Sequence, residues 1–527
     1  MPGSVLMIQG TMSSVGKSLL VAALCRIFKQ DGWRVAPFKA QNMALNSFVT
    51  RDGREVGRAQ AMQADAAGVD VTVEMNPILI KPEADSFAQI VVMGKPWARL
   101  PAGEYMRRRS ELWNVVTRAL DALRAQYDVV VIEGAGSPAE LNLKRGDLVN
   151  MAIAEYADAP VLLVGDIDRG GIFAQLLGTH ALLEGNERAR IKGFIVNKFR
   201  GDARLFDDGI KILEERSGVP VLGVMPFIHD LRIADEDSVA LEERQVAGGR
   251  WREAGKCQIT ASCLPPTAST VSSVLRLDVV VIRLPHISNF DDFDPLRAEE
   301  DVSVRFVDRV EDLGEPDLII LPGTKTTIAD LQFVCARGLD ARIVTLARAG
   351  TPVLGICGGY QMLGAEIRDP LRVESNETHI AGLGLLPHVT TFETEKQTVR
   401  ARGIVVANEG LFANARGIEI AGYEIHMGRT RSDGAPLVRI TARGESAVDD
   451  ADGAVAARGW IAGTYLHGLF DNDALRDVML ANLAARKGAT RTTRTRFERD
   501  AAYERLARVA RANLRMEAIY RLLTQDE

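Results

Sequence analysis

Cysteine is scarce, with five in 527 residues. That is too few to staple a fold with disulfides. Cys257 and Cys263 have five residues between them and no second pair at zinc-ligand spacing, so they read as incidental. Long apolar runs are missing too. None approaches the roughly 18 residues that a membrane-crossing helix needs. The opening residues are strand-like from Val5 and show no charged-then-apolar leader pattern. Neither sign of charge is in excess: 64 Lys and Arg stand against 70 Asp and Glu, a net of −6. A general nucleic-acid binder needs a basic surplus, so that class is set aside. What remains is a reduced, cytoplasmic enzyme without a membrane or nucleic-acid partner. The length calls for roughly two to four domains.

The first domain is read over 1–243. Its apolar runs are Val5–Ile8, Val35–Phe38, Val129–Ile132, Val161–Val164, Phe194–Val196 and Val221–Val224. Helical patterns such as Leu19–Phe28 and Leu112–Ala125 separate several of them. Continuous apolar strands alternating with helices predict a parallel sheet covered on both faces. Ligands of such sheets bind at the carboxyl ends of the strands. After the first run come Gly10, Thr11, Met12, Ser13, Ser14, Val15, Gly16, Lys17 and Ser18. Such a loop turns backbone N–H groups toward an anion at a helix N-terminus. Lys17 supplies a mobile positive charge and Ser18 a hydroxyl that suits Mg²⁺. A standard phosphate loop has four residues between its glycines, and here Gly10 and Gly16 have five. The plain alternative is a glycine-rich turn before a helix.

The other strand ends carry further candidates. Lys39, Gln41 and Asn42 sit in a polar stretch, 39–47, read as a loop that contacts phosphate or substrate. Glu133 ends the third run on a loop of small residues, the place for an acidic Mg²⁺ partner; the alternative is a glutamate that caps the next helix. Asp166 and Asp168 precede Arg169-Gly170-Gly171 and suit a metal, a phosphate or a substrate, unless Asp168 simply pairs with Arg169. Asn197 ends the fifth run, where a carboxamide can read a purine edge.

Residues 244–276, rich in Gly, Pro, Ser and Thr, read as a linker. A second α/β domain is read over 277–480, with strands Val279–Ile282, Leu318–Leu321 and Val353–Ile356. The third leads into Gly355-Ile356-Cys357-Gly358-Gly359, a nucleophile held between glycines at a strand-to-helix turn. The helix dipole there favours a thiolate. A buried structural cysteine is the alternative. The candidate base is His467, in Tyr465-Leu466-His467-Gly468, with His426 as rival. Backbone N–H groups of Gly358 and of Gly323, in the loop after Leu321, are candidate oxyanion donors. The end of the chain, 481–527, reads as a helical tail packed across a surface, by the spacing of Leu506, Val509, Leu514, Ile519 and Leu522.

Both halves resemble known families. The first is similar to the dethiobiotin-synthetase-like ATP-binding fold, which shares the five-residue spacing of Gly10–Ser18. The second resembles class I glutamine amidotransferases, whose domain is a flavodoxin-like doubly wound sheet, through Gly355–Gly359. The combination resembles the cobyrinate-amidating glutamine-dependent synthetases. That likeness rests on Gly10–Ser18, Pro37–Met43, Gly57–Ala61, Met75–Leu79, Ile132–Glu140, Gly165–Gly171 and Asn197–Asp202, and covers nearly the whole chain. The stretch Phe38–Met43 favours the branch that amidates the b, d, e and g carboxylates of adenosylcobyrinic acid a,c-diamide over the branch that makes the a,c-diamide. The resemblance implies a carbon–nitrogen ligase of cobalamin biosynthesis that uses ATP, Mg²⁺, glutamine and a corrinoid. In it Cys357 attacks glutamine, His467 moves the proton, Gly323 and Gly358 hold the oxyanion, Ser18 and Glu133 hold magnesium, and Asn197 meets adenine. Asp147 is a substrate-side candidate.

One position departs from the pattern. Standard class I glutaminases place a Glu two residues after the histidine, and here that residue is Leu469. Asp471, Glu424 or a backbone carbonyl are the candidates to orient His467. Two rivals are a switch ATPase, and the same chemistry on another acid, such as the a,c-diamide synthase reaction or a peptidoglycan amidation. A switch ATPase usually has a lysine after the first loop residue, where this chain has Thr11, and it leaves Cys357 with His467 unexplained.

Overall fold

The computed structural model describes residues 2–83, 87–144, 146–229, 231 and 276–524. The linker expected at 244–276, with Cys257 and Cys263, lies outside the described residues apart from Arg276. Two compact units emerge: Met1–Ala234 with Glu498–Glu527, and Asp235–Phe497.

The first unit is built on six strands: β1 (Ser4–Gly10), β2 (Val35–Phe38), β3 (Val129–Glu133), β4 (Val161–Asp166), β5 (Ile191–Phe199) and β6 (Val221–Pro226). They form one sheet in the order β6-β5-β4-β1-β3-β2, and every neighbouring pair is parallel. All six predicted apolar runs lie in it. Apart from Gly223 and Val224 on the edge strand β6, their residues are buried on both faces, as a sheet sandwiched between helices requires. Register aligns the strand ends. Ile8 pairs with Glu133, Gly10 with Val164, Phe38 with Ile132 and Asp166 with Asn197. The phosphate loop, Lys39, Glu133, Asp166 and Asn197 therefore share one edge of the sheet.

The stretch expected as a polar loop opens instead with a strand. Gln41–Met43 pairs in parallel with Ile78–Ile80, and Phe87–Val92 and Lys95–Pro101 extend this small sheet. The helix Lys17–Gln30 buries Leu20, Val21, Leu24, Ile27 and Phe28. Against it pack Tyr503, Leu506, Ala510, Ile519 and Leu523 from helices Arg499–Asn513 and Met516–Thr524. These C-terminal helices are thus part of the first unit. The tail boundary expected at 480 falls inside the helix Asp473–Arg486. That helix keeps one apolar face, Leu475, Met479, Leu480 and Leu483, in the second unit's core.

The second unit has strands β7 (Leu277–Ile282), β8 (Val302–Val307), β9 (Leu318–Leu321), β10 (Val353–Ile356), β11 (Ala454–Ala456) and β12 (Ile461–Thr464). Their order is β8-β7-β9-β10-β12-β11, parallel except for the β11–β12 pair. Both units are therefore mostly parallel α/β folds, as predicted. An unpredicted sheet joins this unit, dominated by two long antiparallel arms, His388–Val405 and Glu419–Ser432. Among the described residues no helix is long and apolar enough to cross a membrane.

Candidate active site

In the first unit the loop after β1 turns tightly. Ser14 and Gly16 have φ of 59° and 97°, left-handed values that glycine accepts most readily. A Cβ at Gly10 would meet Val15 Cγ2 at 2.6 Å and Lys17 Nζ at 3.0 Å. Lys17 folds back on the loop, donating to Met12 O at 3.0 Å and Gly136 O at 3.3 Å. Ser13 and Ser14 are exposed at the tip, while Thr11 Oγ1 donates to Gln175 Oε1 at 3.2 Å.

Behind the loop lies a buried polar knot centred on Glu133. Lys39 Nζ lies 2.7 Å from Glu133 Oε1, and Ser18 Oγ donates to the same oxygen at 2.9 Å. Gln63 Nε2 donates to Oε2 at 2.5 Å. Glu133 is fully buried and Lys39 nearly so. A carboxylate there needs these donors, since an unpaired buried charge is expensive. On the other flank Asn197 Nδ2 donates to Val15 O at 2.7 Å, bracing the loop. Lys198 Nζ donates to Ser14 O at 2.7 Å and to Asp166 Oδ2 at 2.8 Å.

In the second unit Cys357 sits between β10 and the helix Gly358–Leu363 with φ 51° and ψ −109°, a strained elbow. Its neighbours have to be small. A Cβ at Gly359 would fall inside the Leu321 carbonyl, and one at Gly355 would meet Gly359 O at 2.7 Å. The thiol donates to Ile425 O at 3.5 Å, and it is among the groups that raise the pKa of the nearby His467. A Cβ at Gly323 would meet His467 Cε1 at 2.7 Å, and one at Gly358 would meet Thr324 N at 3.2 Å. Both expected oxyanion glycines therefore border the Cys–His pair. Asp330 pins the loop that holds Gly323. It accepts from the Thr324 hydroxyl and lies 2.8 Å from His286 Nδ1.

His467 is oriented by Asp292, which sequence reasoning missed. His467 Nδ1 lies 2.7 Å from Asp292 Oδ2, and Gly468 N donates to Asp292 Oδ1 at 2.8 Å. The two side chains are 1% and 2% exposed. Burial alone would lower the His467 pKa, but the Asp292 charge and hydrogen bond overcome it and push it up to about 10. Glu424, one proposed orienter, is occupied by Arg443, with Nε at 2.6 Å and Nη2 at 3.1 Å. His426, the rival base, points Nδ1 at Gly428 O at 2.9 Å and stacks on Tyr465. Burial pushes its pKa down to about 4.

Two family models match the chain. Residues 278–475 match a CobB/CobQ-like glutamine amidotransferase domain. Residues 6–240 match the CobQ/CobB/MinD/ParA nucleotide binding domain. A cobyric acid synthase of Dehalococcoides mccartyi (strain CBDB1) is 50% identical over 521 residues, covering 99% of both chains. One from Sorangium cellulosum (strain So ce56) is 51% identical over 536 residues, covering 99% of this chain and 98% of its own. One from Desulfitobacterium hafniense (strain DCB-2) is 49% identical, covering 98% and 96%.

The chain belongs to the cobyric acid synthase family. As a member it is a glutamine amidotransferase of the ligase class with a nucleotide-binding domain. Several residues singled out from the sequence have local duties in this family member. Asp147 Oδ1 accepts from the backbone N–H groups of Val149 and Asn150, and its Oδ2 from Ala152 N in the first turn of the helix Met151–Ala157. Asp168 pairs with Arg200 at 2.5 Å, not with Arg169. Gln41 accepts from the Tyr105 hydroxyl, and Asn42 Nδ2 donates to Gln60 Oε1 at 3.0 Å. Gln63 was not singled out, although it lies just beyond the stretch Gly57–Ala61. Asp292 carried no signal: nothing in Asn289–Phe293 marks it as a histidine's partner.

Proposed function

We propose that the chain amidates the b, d, e and g carboxylates of adenosylcobyrinic acid a,c-diamide, giving adenosylcobyric acid. The reading is supported most by the buried Cys357–His467–Asp292 arrangement in a chain whose other domain binds nucleotide. The Cys357 sulfur attacks the side-chain amide carbon of glutamine while His467 holds the thiol proton. Backbone N–H groups at Gly323 and Gly358 receive the developing oxyanion. His467 then gives the proton to the departing nitrogen, and ammonia leaves a thioester that water hydrolyses to glutamate.

In the other domain a carboxylate oxygen takes the terminal phosphoryl group of ATP, releasing ADP. Ammonia then attacks the acyl carbon and expels phosphate. Activation is needed because a free carboxylate is a poor acyl donor to an amine. Ser18 Oγ and Glu133 Oε1, two hard oxygens 2.9 Å apart beside the loop, suit Mg²⁺. They would hold that ion, which supplies charge neutralisation at the phosphates. Lys17 lies on the loop, ready to swing to phosphate oxygens, and Lys39 pairs with Glu133 at 2.7 Å. Asn197 braces the loop and keeps its Oδ1 for adenine. Cys25, Cys335 and Cys357 are free thiols, which suits the reducing cytoplasm where we place the reaction.

The test is mass spectrometry of products from the a,c-diamide, ATP and glutamine. Four successive amidations should appear. Cys357→Ala should lose them with glutamine and keep them with ammonium. Equal turnover of cobyrinic acid itself would refute the assignment of the four carboxylates.

A further inference from the structure

At the carboxyl edge of the first unit's sheet, four large apolar side chains stand in water. Met43 is 58% exposed, Leu141 49%, Leu143 44% and Met106 38%. They are neighbours. Gln41 and Met43 share a face of their strand, two residues apart. Gln41 accepts from the hydroxyl of Tyr105, whose next residue is Met106 on the helix Ala102–Arg108. Just past that helix, Arg109 Nη2 donates to Leu143 O at 2.5 Å, and its Nη1 lies 3.6 Å from Met106 Sδ. Leu141 and Leu143 belong to one turn. Hydrogen bonds through Gln41 and Arg109 thus tie together the strand, helix and turn that carry these exposed side chains, and clustered exposed apolar surface marks binding.

The strip is rooted in the phosphate site. Gln41 follows Lys39 by two residues, and Lys39 holds Glu133. The turn Leu141–Leu143 ends the loop that leaves Glu133, and Gly136 O in that loop accepts from Lys17. Basic groups border the apolar residues: Arg107 is exposed and Arg109 half-buried. Glutamine is too small for such a surface, and a nucleotide has the glycine-rich loop. Apolar area with a cationic margin suits a broad apolar molecule edged with carboxylates.

We infer that the strip Met43–Met106–Leu141–Leu143 seats the ring of a carboxylate-fringed macrocycle, with Arg107 and Arg109 meeting its fringe. This rests on the carboxylate-amidating reading above. Seated there, the fringe carboxylates lie on the edge of the sheet that carries the phosphate loop.

The experiment uses the full chain and cobyrinic acid a,c-diamide as probe. Binding is read by equilibrium dialysis from the corrin absorbance, without ATP or glutamine. The double variant Met43→Asp/Leu141→Asp puts carboxylates where the ring would lie. Its Kd should rise at least about tenfold, from lost apolar burial and added repulsion. Its ATP affinity and glutaminase activity should stay at the wild-type level, which separates the loss from misfolding. Leu205→Asp, at a side chain 84% exposed elsewhere, should leave Kd unchanged. Arg107→Gln should weaken binding by a smaller, salt-dependent factor. An unchanged Kd in the double variant overturns the strip, and so does a changed sedimentation coefficient with unchanged Kd, because a second copy would then cover it. A wild type that amidates the diamide while the variants bind it equally well overturns the strip alone. A wild type that neither binds nor amidates it overturns both readings.

Discussion

Replacing Asp292 by Asn tests the glutaminase relay at its least expected member. Asp292 accepts at both oxygens, from Gly468 N at 2.8 Å and toward His467 Nδ1 at 2.7 Å. A carboxamide has one acceptor. The Gly468 N–H is a fixed donor, so the Asn oxygen goes there and its NH₂ faces Nδ1. The imidazole must then accept at Nδ1 and carry its proton on Nε2. That tautomer cannot take the thiol proton. The rise of His467 from 6.5 to about 10 against burial, driven first by Asp292 and then by Cys357, is worth about 5 kcal/mol in favour of the imidazolium, at about 1.4 kcal/mol per tenfold, most of it from Asp292. Expressed in the transition state, that is about three orders of magnitude in glutaminase kcat. The KM for glutamine should move little, because Asp292 is buried with both oxygens engaged by His467 and Gly468. Ammonium-driven amidation should be untouched. A second readout is alkylation of Cys357 by iodoacetamide at pH 7, followed by peptide mass spectrometry so that the exposed Cys335 is counted separately. Alkylation should slow with the loss of the imidazolium.

Stability gives the same pair a pH signature. A histidine whose folded pKa is raised contributes stability that is complete below pH 6.5 and lost as pH rises through about 10. The urea stability gap between wild type and Asp292→Asn should therefore narrow across that window. Glutaminase and alkylation rates within about threefold of wild type would refute the role assigned to Asp292.

Three other perturbations have defined outcomes. His388 is buried, and burial lowers its pKa to about 4, so its neutral form stabilises the fold above pH 6.5 and that contribution is lost as pH falls through 4. Its share is up to about 3 kcal/mol, and His388→Gln should flatten the acid limb of urea stability by that amount. Lys39→Met strands Glu133 as a buried charge and should destabilise the chain by about 3–5 kcal/mol. Adding Glu133→Gln should restore stability without restoring ATP-dependent turnover, read by calorimetry beside phosphate release. Gly359→Ala drives a methyl group into the Leu321 carbonyl, so glutaminase activity should vanish with a stability loss of more than about 4 kcal/mol, read by urea titration.

The parts legible in the sequence share a physical property: their signal is local. Strands β1 to β6 are buried on both faces, so each is a short continuous apolar run. The glycine-rich loop and the cysteine elbow are dictated by backbone conformation, which restricts residue type within a few positions. What escaped prediction depends on partners far along the chain. Gln41–Met43 reads as a loop because it is short and two of its three residues are carboxamides; its pairing with Ile78–Ile80 comes from tertiary contact. The arms His388–Val405 and Glu419–Ser432 lack continuous apolar runs because they alternate between core and water. The C-terminal helices were legible as helices, but not their seat on Lys17–Gln30, fixed by contacts such as the Arg26–Asp500 ion pair across 474 residues.

Asp292 is the sharpest case of the same rule. A triad acid two residues after its histidine can be read locally, and Leu469 removes that option. The structure supplies the carboxylate from 175 residues earlier, on the 3-10 turn Phe290–Phe293. The turn is held in place by its own chain: Ser288 N donates to Gly323 O at 2.9 Å, tying this segment to the loop of the proposed oxyanion glycine. On the proposed mechanism Asp292 would couple two catalytic requirements that the standard arrangement keeps apart. One segment sets both the tautomer of His467 and the position of the Gly323 loop. A change in the segment before Asp292 should then alter proton transfer and oxyanion binding together.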